Sequence, residues 1–302
     1  MHTTDDTRAK QTLKPAPQEV LTTPSPPENL WPQPDYATLK HEPSFLFILT
    51  PPYSGSTALA KVLNTAHRSM LLHWKGEGQW LVPGMRQPDR WNPEKVIEWD
   101  SVKAVWLAKV RQVEKLVGEI DVVIEKSPAN LVRAQPLLRA FPNHQVVTFN
   151  RNPYANCASI LYRHHDPQTK TASERLAIVQ QLAADWLFRS QWVQQWRETL
   201  APIHFTYEAF CRDPQSQICR ILERLPVLTG IEIDRPIEVK DYPLQTITNH
   251  NGRQIALLSR SERAAIAQVL QDHETLLNSF GYTSRWQAAV EQGGAGDAPY
   301  PG

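Results

Sequence analysis

Five short apolar runs punctuate the chain, and each is followed by a helical or irregular stretch. Phe45–Leu49 is an unbroken apolar run, as expected of a strand buried on both faces. Ser69–His73, Val122–Ile124, Gln145–Phe149 and Ile203–Tyr207 are of the same kind. Two long amphipathic stretches, about Ser173–Leu200 and Ser259–Phe280, supply helical layers. This alternation predicts an α/β fold, one parallel β-sheet flanked by helices on both faces. Ligands of such sheets bind beyond the carboxyl ends of the strands. The turns after the five runs are therefore where chemistry is expected.

Composition sharpens the boundaries. A chain of 302 residues, 41% apolar, suits one large α/β domain or two small ones, with enough chain for a sizeable core. Seven prolines fall within the first 40 residues, where the apolar period is lost. Residues 1–42 are expected to form a proline-rich arm, 43–286 the folded domain and 287–302 a flexible tail. Lys plus Arg number 32 against 31 Asp plus Glu, which argues against nucleic acid and anionic membranes as partners. A bound anion must then meet a local cluster of donors. No apolar stretch approaches 18 residues, and the opening MHTTDDTRAK lacks a signal-peptide pattern. Three cysteines without repeated spacing argue against a disulfide framework or a zinc site, so a cytoplasmic location is expected. Oligomeric state is not legible.

The first run leads into Thr50-Pro51-Pro52-Tyr53-Ser54-Gly55-Ser56-Thr57-Ala58-Leu59, after which Leu59, Val62, Leu63 and Ala66 recur at helical spacing. A strand thus feeds a tight turn, and the turn feeds a helix N-terminus. Free N–H groups and the helix dipole favour a phosphate or sulfate there. Gly55 permits close approach of the backbone, and Ser54, Ser56 and Thr57 add hydroxyl donors. The spacing is P-loop-like, but Thr50 replaces the first Walker glycine and Ser56 the lysine that a nucleotide triphosphatase uses on its β/γ-phosphates. A serine-capped helix start that binds nothing is the plain alternative.

The fourth run leads into Asn150-Arg151-Asn152-Pro153, with Asn152 suited to an N-cap and Pro153 to the first helical position. The helix that follows has an apolar stripe (Tyr154, Cys157, Ala158, Leu161) and a polar stripe (Asn152, Asn156, Ser159, Arg163). Arg151 offers a planar fork of donors to a phosphate, or equally a partner to a core carboxylate.

Together the two turns resemble those of the PAPS-dependent sulfotransferase family (PAPS, 3′-phosphoadenosine-5′-phosphosulfate). Its P-x-x-S-G-[ST]-[ST]-x-L loop is matched by Pro51, Ser54, Gly55, Ser56, Thr57 and Leu59. Its R-[DN]-P-x-x-x-x-x-S motif is matched by Arg151, Asn152, Pro153 and Ser159. Glu125-Lys126-Ser127-Pro128 with Phe141-Pro142, Tyr207-Glu208 with Asp213-Pro214, and Phe280-Gly281-Tyr282 agree in order, so the resemblance spans about residues 43–286. It implies a P-loop-like nucleotide-binding core that moves a sulfuryl group from PAPS, as co-substrate, to a hydroxyl or amine, with no metal. Ser54, Gly55, Ser56 and Thr57 would hold the 5′-phosphosulfate, Arg151 and Ser159 the 3′-phosphate, and Tyr207 would lie near the adenine. One departure stands out: the family carries Lys or Arg before the S-G, and this chain carries Tyr53. Lys126, Lys75 and the Tyr53 phenol itself are the candidates to replace that cation.

An acceptor hydroxyl needs a general base. Glu77, between two glycines in His73-Trp74-Lys75-Gly76-Glu77-Gly78, is the first candidate and His73 the second; a helix cap or a pair with Lys75 is the plain reading of Glu77. Trp74, Trp80, Trp91, Trp99 and Trp106 cluster in sequence and form the candidate acceptor wall, with His164-His165-Asp166 beside the same cleft, whereas Trp186, Trp192 and Trp196 are read as packing. Arg253, before the last long helix, is a candidate second contact to the 3′-phosphate. A small-molecule acceptor is preferred over a polyanionic one. A P-loop kinase and a non-catalytic nucleotide-binding scaffold are the competing readings.

Overall fold

In a computed structural model of the chain, residues 41–239 and 242–285 are described. The proline-rich arm through residue 40 and the tail from residue 286 lie outside them. Five strands form one parallel sheet in the order β2-β3-β1-β4-β5, from β1 (Ser44–Leu49), β2 (Ser69–Leu71), β3 (Val122–Glu125), β4 (His144–Asn150) and β5 (Ile203–Thr206). All five expected strands are present. β2 stops two residues early, because Leu72–Glu77 turns away to build a loop over the strand ends.

The central strand explains the layering. Side chains alternate across a pleated strand. Phe45, Phe47 and Leu49 pack into one apolar layer, and Leu46 and Ile48 into the other. The second layer holds α1 (Ser56–Leu63), α6 (Tyr207–Arg212) and α7 (Pro214–Leu222), contributing Leu59, Val62, Phe210 and Ile218. The first holds α2 (Trp99–Val117), α3 (Ala134–Ala140), α4 (Pro153–His164) and α5 (Ala172–Leu200). The α4 stripe of Tyr154, Cys157, Ala158 and Leu161 is fully buried there, and Trp186 and Trp196 are core residues as read. Both faces of β1 are thus covered, and ligands of such sheets bind beyond the carboxyl ends of the strands.

Three elements depart from expectation. The last amphipathic stretch is not one helix: α9 (Arg260–Leu270) and α10 (Glu274–Ser279), preceded by the short α8 (Asn251–Ala256), are separated by a 3₁₀ turn at Gln271–His273. That tighter turn lets Leu277 and Phe280 reach the core. α2 was hidden because its core contact is a Val102, Trp106, Val110 stripe inside a segment read as an acceptor wall. A hairpin of β6 (Ile237–Val239) and β7 (Tyr242–Gln245) lies apart from the main sheet; its strands are too short for a period to show.

Candidate active site

The turns after β1, β3, β4 and β5, the loop after β2, and the β6–β7 hairpin surround a cleft of about 870 Å³. Its wall carries six basic side chains (Lys61, Lys75, Arg86, Lys126, Arg151, Arg163) against two acidic ones (Glu77, Glu238). A chain of balanced charge thus concentrates positive charge at one place.

The β1–α1 turn is bent by two left-handed residues, Tyr53 at φ 63° and Gly55 at φ 88°. Gly55 occupies the N-cap position of α1 without a side-chain cap, so the first N–H groups of the helix keep no intrahelical acceptor. A Cβ at Gly55 would stand 2.4 Å from Tyr207 Cδ2, so only glycine lets this turn lie against the tyrosine ring. Gly55, Ser56 and Thr57 line the cleft. Ser54 does not: its side chain is fully buried behind the turn, and its Oγ has no hydrogen-bond partner among the described residues. Tyr53 also lines the cleft, its hydroxyl hydrogen-bonded to His164 Nε2.

Arg151 is buried and ties the β1 and β4 turns together. Its Nη1 donates to the Tyr53 carbonyl at 3.0 Å and to Ser159 Oγ at 3.2 Å, and its Nε to Asn251 Oδ1 at 2.8 Å. The guanidinium lies 4.5 Å from the Tyr207 ring centroid. Among the described residues no carboxylate pairs with it, and Arg151 itself lines the cleft. Asn152 caps α4 as expected, accepting from Tyr154 N and Ala155 N. Asn156 Nδ2 reaches back to the Pro52 carbonyl at 2.8 Å, a second strut between the turns.

Glu208 holds this assembly from behind. Its Oε1 accepts from Asn152 N at 3.0 Å and from Asn251 Nδ2 at 2.5 Å, and its Oε2 from the Tyr282 hydroxyl at 2.7 Å. Adjacent Tyr207 faces the cleft, its hydroxyl donating to Thr248 O at 2.8 Å and accepting from His250 N at 3.1 Å.

The loop after β2 is anchored on β3. Buried Glu125 accepts from Gly78 N at 2.8 Å, Ser127 N at 2.9 Å and Asn130 Nδ2 at 3.1 Å, and Trp106 Nε1 donates to the Gly78 carbonyl at 3.1 Å. Burial pushes the Glu125 carboxyl up to about 7 despite the bonds from Ser127 and Gly78. The loop presents Glu77, whose carboxylate accepts from Lys126 Nζ (2.8 Å), Gln79 Nε2 (2.7 Å) and Trp80 Nε1 (3.1 Å). Burial opposes ionisation of Glu77, but the Lys126 charge and these bonds outweigh it and hold the carboxyl below its ordinary value.

A model of the sulfotransferase family matches residues 43–228, the segment that carries both turns and the β3 anchor. The chain belongs to the sulfotransferase family. Among solved structures it is similar to a sulfotransferase from Alicyclobacillus acidocaldarius, at 16% identity over 79% of this chain and 95% of that one, with a TM-score of 0.46. It is also similar to sulfotransferase STF9 from Mycobacterium avium (14% identity, 76% of this chain, 68% of that one, TM-score 0.45). A third is the sulfotransferase domain of the Synechococcus PCC 7002 olefin synthase (17%, 80% and 97%, TM-score 0.45). No curated protein matches the chain.

In this sulfotransferase most of the residues singled out from sequence meet at the cleft: Tyr53, Gly55, Ser56, Thr57, Glu77, Lys126, Arg151, Ser159 and Tyr207. Three do not. Ser54 is buried behind the turn. His73 stacks on Trp80 (5.6 Å, 9°) outside the cleft wall, and burial together with the Lys75 charge lowers its pKa. Arg253 is exposed on α8 and outside the wall, because the helix turns Gln254 inward instead. The tryptophan group divides: Trp74 and Trp80 line the cleft, Trp106 is core, and Trp91 and Trp99 pack against the core. Glu77 pairs with Lys126, not Lys75, and His164 does line the cleft. Sequence reasoning missed Arg86, Thr248 and His250, for which no motif gives a signal. Among the described residues no helix is long and apolar enough to cross a membrane, and no three metal-binding side chains cluster.

Proposed function

We propose that this sulfotransferase uses PAPS and moves its sulfuryl group in line to a hydroxyl or amine of a small acceptor, leaving adenosine 3′,5′-bisphosphate. One observation carries the reading: two anion-holding turns are bonded to each other through Arg151, so two anionic groups of one ligand meet a single preorganised surface. The donor set fits such a ligand. Gly55, Ser56 and Thr57 with the α1 N-terminus hold the 5′ end, and Arg151 with Ser159 the 3′-phosphate. The Tyr207 ring, against Gly55 and beneath Arg151, lies where an adenosine can pack. PAPS supplies an activated sulfuryl group, so the protein's part is positioning and charge stabilisation.

Glu77, held ionised by Lys126, accepts the proton of the acceptor hydroxyl, while the ammonium of Lys126 faces charge that develops at the transferring group. Tyr53 stands where the family carries a cation, and its hydroxyl and Lys126 share the task of meeting the departing oxygen.

The test compares adenosine 3′,5′-bisphosphate with ATP–Mg²⁺ by thermal shift. A ligand at 100 times its Kd adds about 2.7 kcal/mol, which at roughly 2–4 °C per kcal/mol raises Tm by about 5–11 °C. The expected result is a shift with the bisphosphate that Arg151→Ala abolishes, and little with ATP. A shift with ATP–Mg²⁺ alone overturns the proposal in favour of a kinase. Bisphosphate binding without turnover of any acceptor favours a non-catalytic scaffold.

A further inference from the structure

The sheet order divides the cleft. β2 and β3 lie on one side of β1, and β4 and β5 on the other, so the loop after β2 faces Arg151 and Tyr207 from across the β1 turn. On the β2 side the wall is a cationic, aromatic shelf. Trp80 is fixed at its edge by the Nε1–Glu77 bond of 3.1 Å. The Arg86 guanidinium lies over its ring, Cζ 3.0 Å from the centroid. Lys75 Nζ is 4.1 Å from the Trp80 centroid and 4.8 Å from that of Trp74, a residue that is 70% exposed.

Neither cation is neutralised. No ion pair among the described residues involves Lys75 or Arg86, and of the two acids in the wall Glu77 is taken by Lys126 and Glu238 sits on the hairpin. A guanidinium stacked flat on an indole keeps its edge donors free for a carboxylate or phosphate in the ring plane. A large exposed indole leaves apolar area in water, and with two cations beside it that have no acidic partner it suits a flat ring that carries an anionic group. We infer that the acceptor is a small aromatic alcohol or phenol bearing one anionic group. Its ring lies on Trp74, its anion on Arg86 and Lys75, and its hydroxyl toward Glu77. The bond formed is from the acceptor oxygen to sulfur, the bond broken is from sulfur to the 5′-phosphate oxygen, and the acceptor proton passes to Glu77. This assignment rests on the proposed sulfuryl transfer.

The experiment pairs each of several aromatic alcohol acids, such as 4-hydroxyphenylacetate, with its methyl ester. Binding of each to protein saturated with adenosine 3′,5′-bisphosphate is measured by calorimetry, and turnover with PAPS in parallel. Bonds to a charged partner are worth about ten- to a hundredfold, so at least one acid is expected to bind at least tenfold more tightly than its ester. The difference should appear in KM more than kcat. Arg86→Ala and Lys75→Ala are each expected to remove most of that preference while leaving bisphosphate affinity within about twofold. Equal binding of acid and ester, no binding of either, or a preference that survives both substitutions overturns the acceptor assignment while the transfer reading stands. Failure of the wild-type protein to bind the bisphosphate sinks the transfer reading instead. Loss of bisphosphate binding in the Arg86 or Lys75 variants would place these cations on the nucleotide and also overturn the assignment.

Discussion

Replacing Gly55 by alanine tests the β1 turn at its tightest point. Two separate costs arise. An L-residue at φ 88° pays about 1–2 kcal/mol for the left-handed conformation. The added Cβ would also meet Tyr207 Cδ2 at 2.4 Å and Cε2 at 2.7 Å, well inside the roughly 3.5–4.0 Å of comfortable carbon contact. The ring must move by about 1 Å, which strains the bonds of its hydroxyl to Thr248 O and His250 N, each worth about 1 kcal/mol. Gly55→Ala should therefore destabilise by about 2–4 kcal/mol in total, or about 4–16 °C in Tm. Gly84 supplies the control: it too is left-handed, at φ 81°, but a Cβ there meets nothing within 4 Å. Gly84→Ala should show the backbone cost alone. Melting curves of both variants, with calorimetric titration of adenosine 3′,5′-bisphosphate, separate the terms. Gly55→Ala should be the less stable of the two and should lose bisphosphate affinity by at least tenfold, since the displaced ring sits between the turn and Arg151. A Gly55→Ala protein no less stable than Gly84→Ala, or one with unaltered affinity, refutes the close-approach argument.

Arg151→Lys keeps the charge but not the fork that spans Tyr53 O, Ser159 and Asn251; bisphosphate affinity measured by calorimetry should fall at least tenfold. Glu77→Gln should lower kcat by about 10²–10⁴-fold if Glu77 takes the acceptor proton, and a smaller loss in a steady-state assay removes it from that role. His204, half-buried and paired with Thr148, has its pKa lowered to about 3 by its removal from water and by the Arg197 charge. Between pH 6.5 and 3 the unfolded chain binds the extra proton, so this site contributes stability above pH 6.5 that is lost as pH falls. The wild type should lose up to about 1.4 kcal/mol per pH unit more than His204→Gln in acid denaturation, and parallel curves for the two would refute the assignment.

The parts of the fold that were legible are those where one force acts alone. β1 is buried on both faces over Phe45–Leu49 and its apolar run is unbroken, and β3 and β4 keep shorter runs in which the buried polar residues Glu125, Thr148 and Asn150 are hydrogen-bonded. The amphipathic stretches placed the starts of α5 and α9 within two residues, where the structure shows reciprocal caps, Thr171 with Glu174 and Ser259 with Glu262. The tryptophan-rich segment misled because a side chain's type does not say which way it faces. Trp106 and Trp80 are both indoles that hold the Glu77 loop, one from the core by a bond to Gly78 O and one from the cleft by a bond to Glu77. His73, the second candidate for the base, was expected at the end of the second strand, but β2 ends at Leu71 and the ring packs on Trp80.

The motif residues also divide by task in a way that spacing alone does not reveal. Gly55, Arg151 and Tyr207 face the cleft, whereas Glu125, Asn152, Glu208, Asn251 and Tyr282 face one another or the backbone and lie behind it. Glu208 alone joins the α4 cap, α8 and the last turn of the described chain through three hydrogen bonds. These second residues carry no ligand chemistry, yet they set where Arg151 points, because Asn251 holds both Arg151 Nε and Glu208. A buried guanidinium without a carboxylate partner is costly, and here neutral acceptors on Asn251, Tyr53 and Ser159 orient it without cancelling its charge. That is the physical difference between a structural arginine and one kept available for an anion. It is why Arg151 in this cleft, and not the exposed Arg253, is the residue on which the anion-binding reading rests.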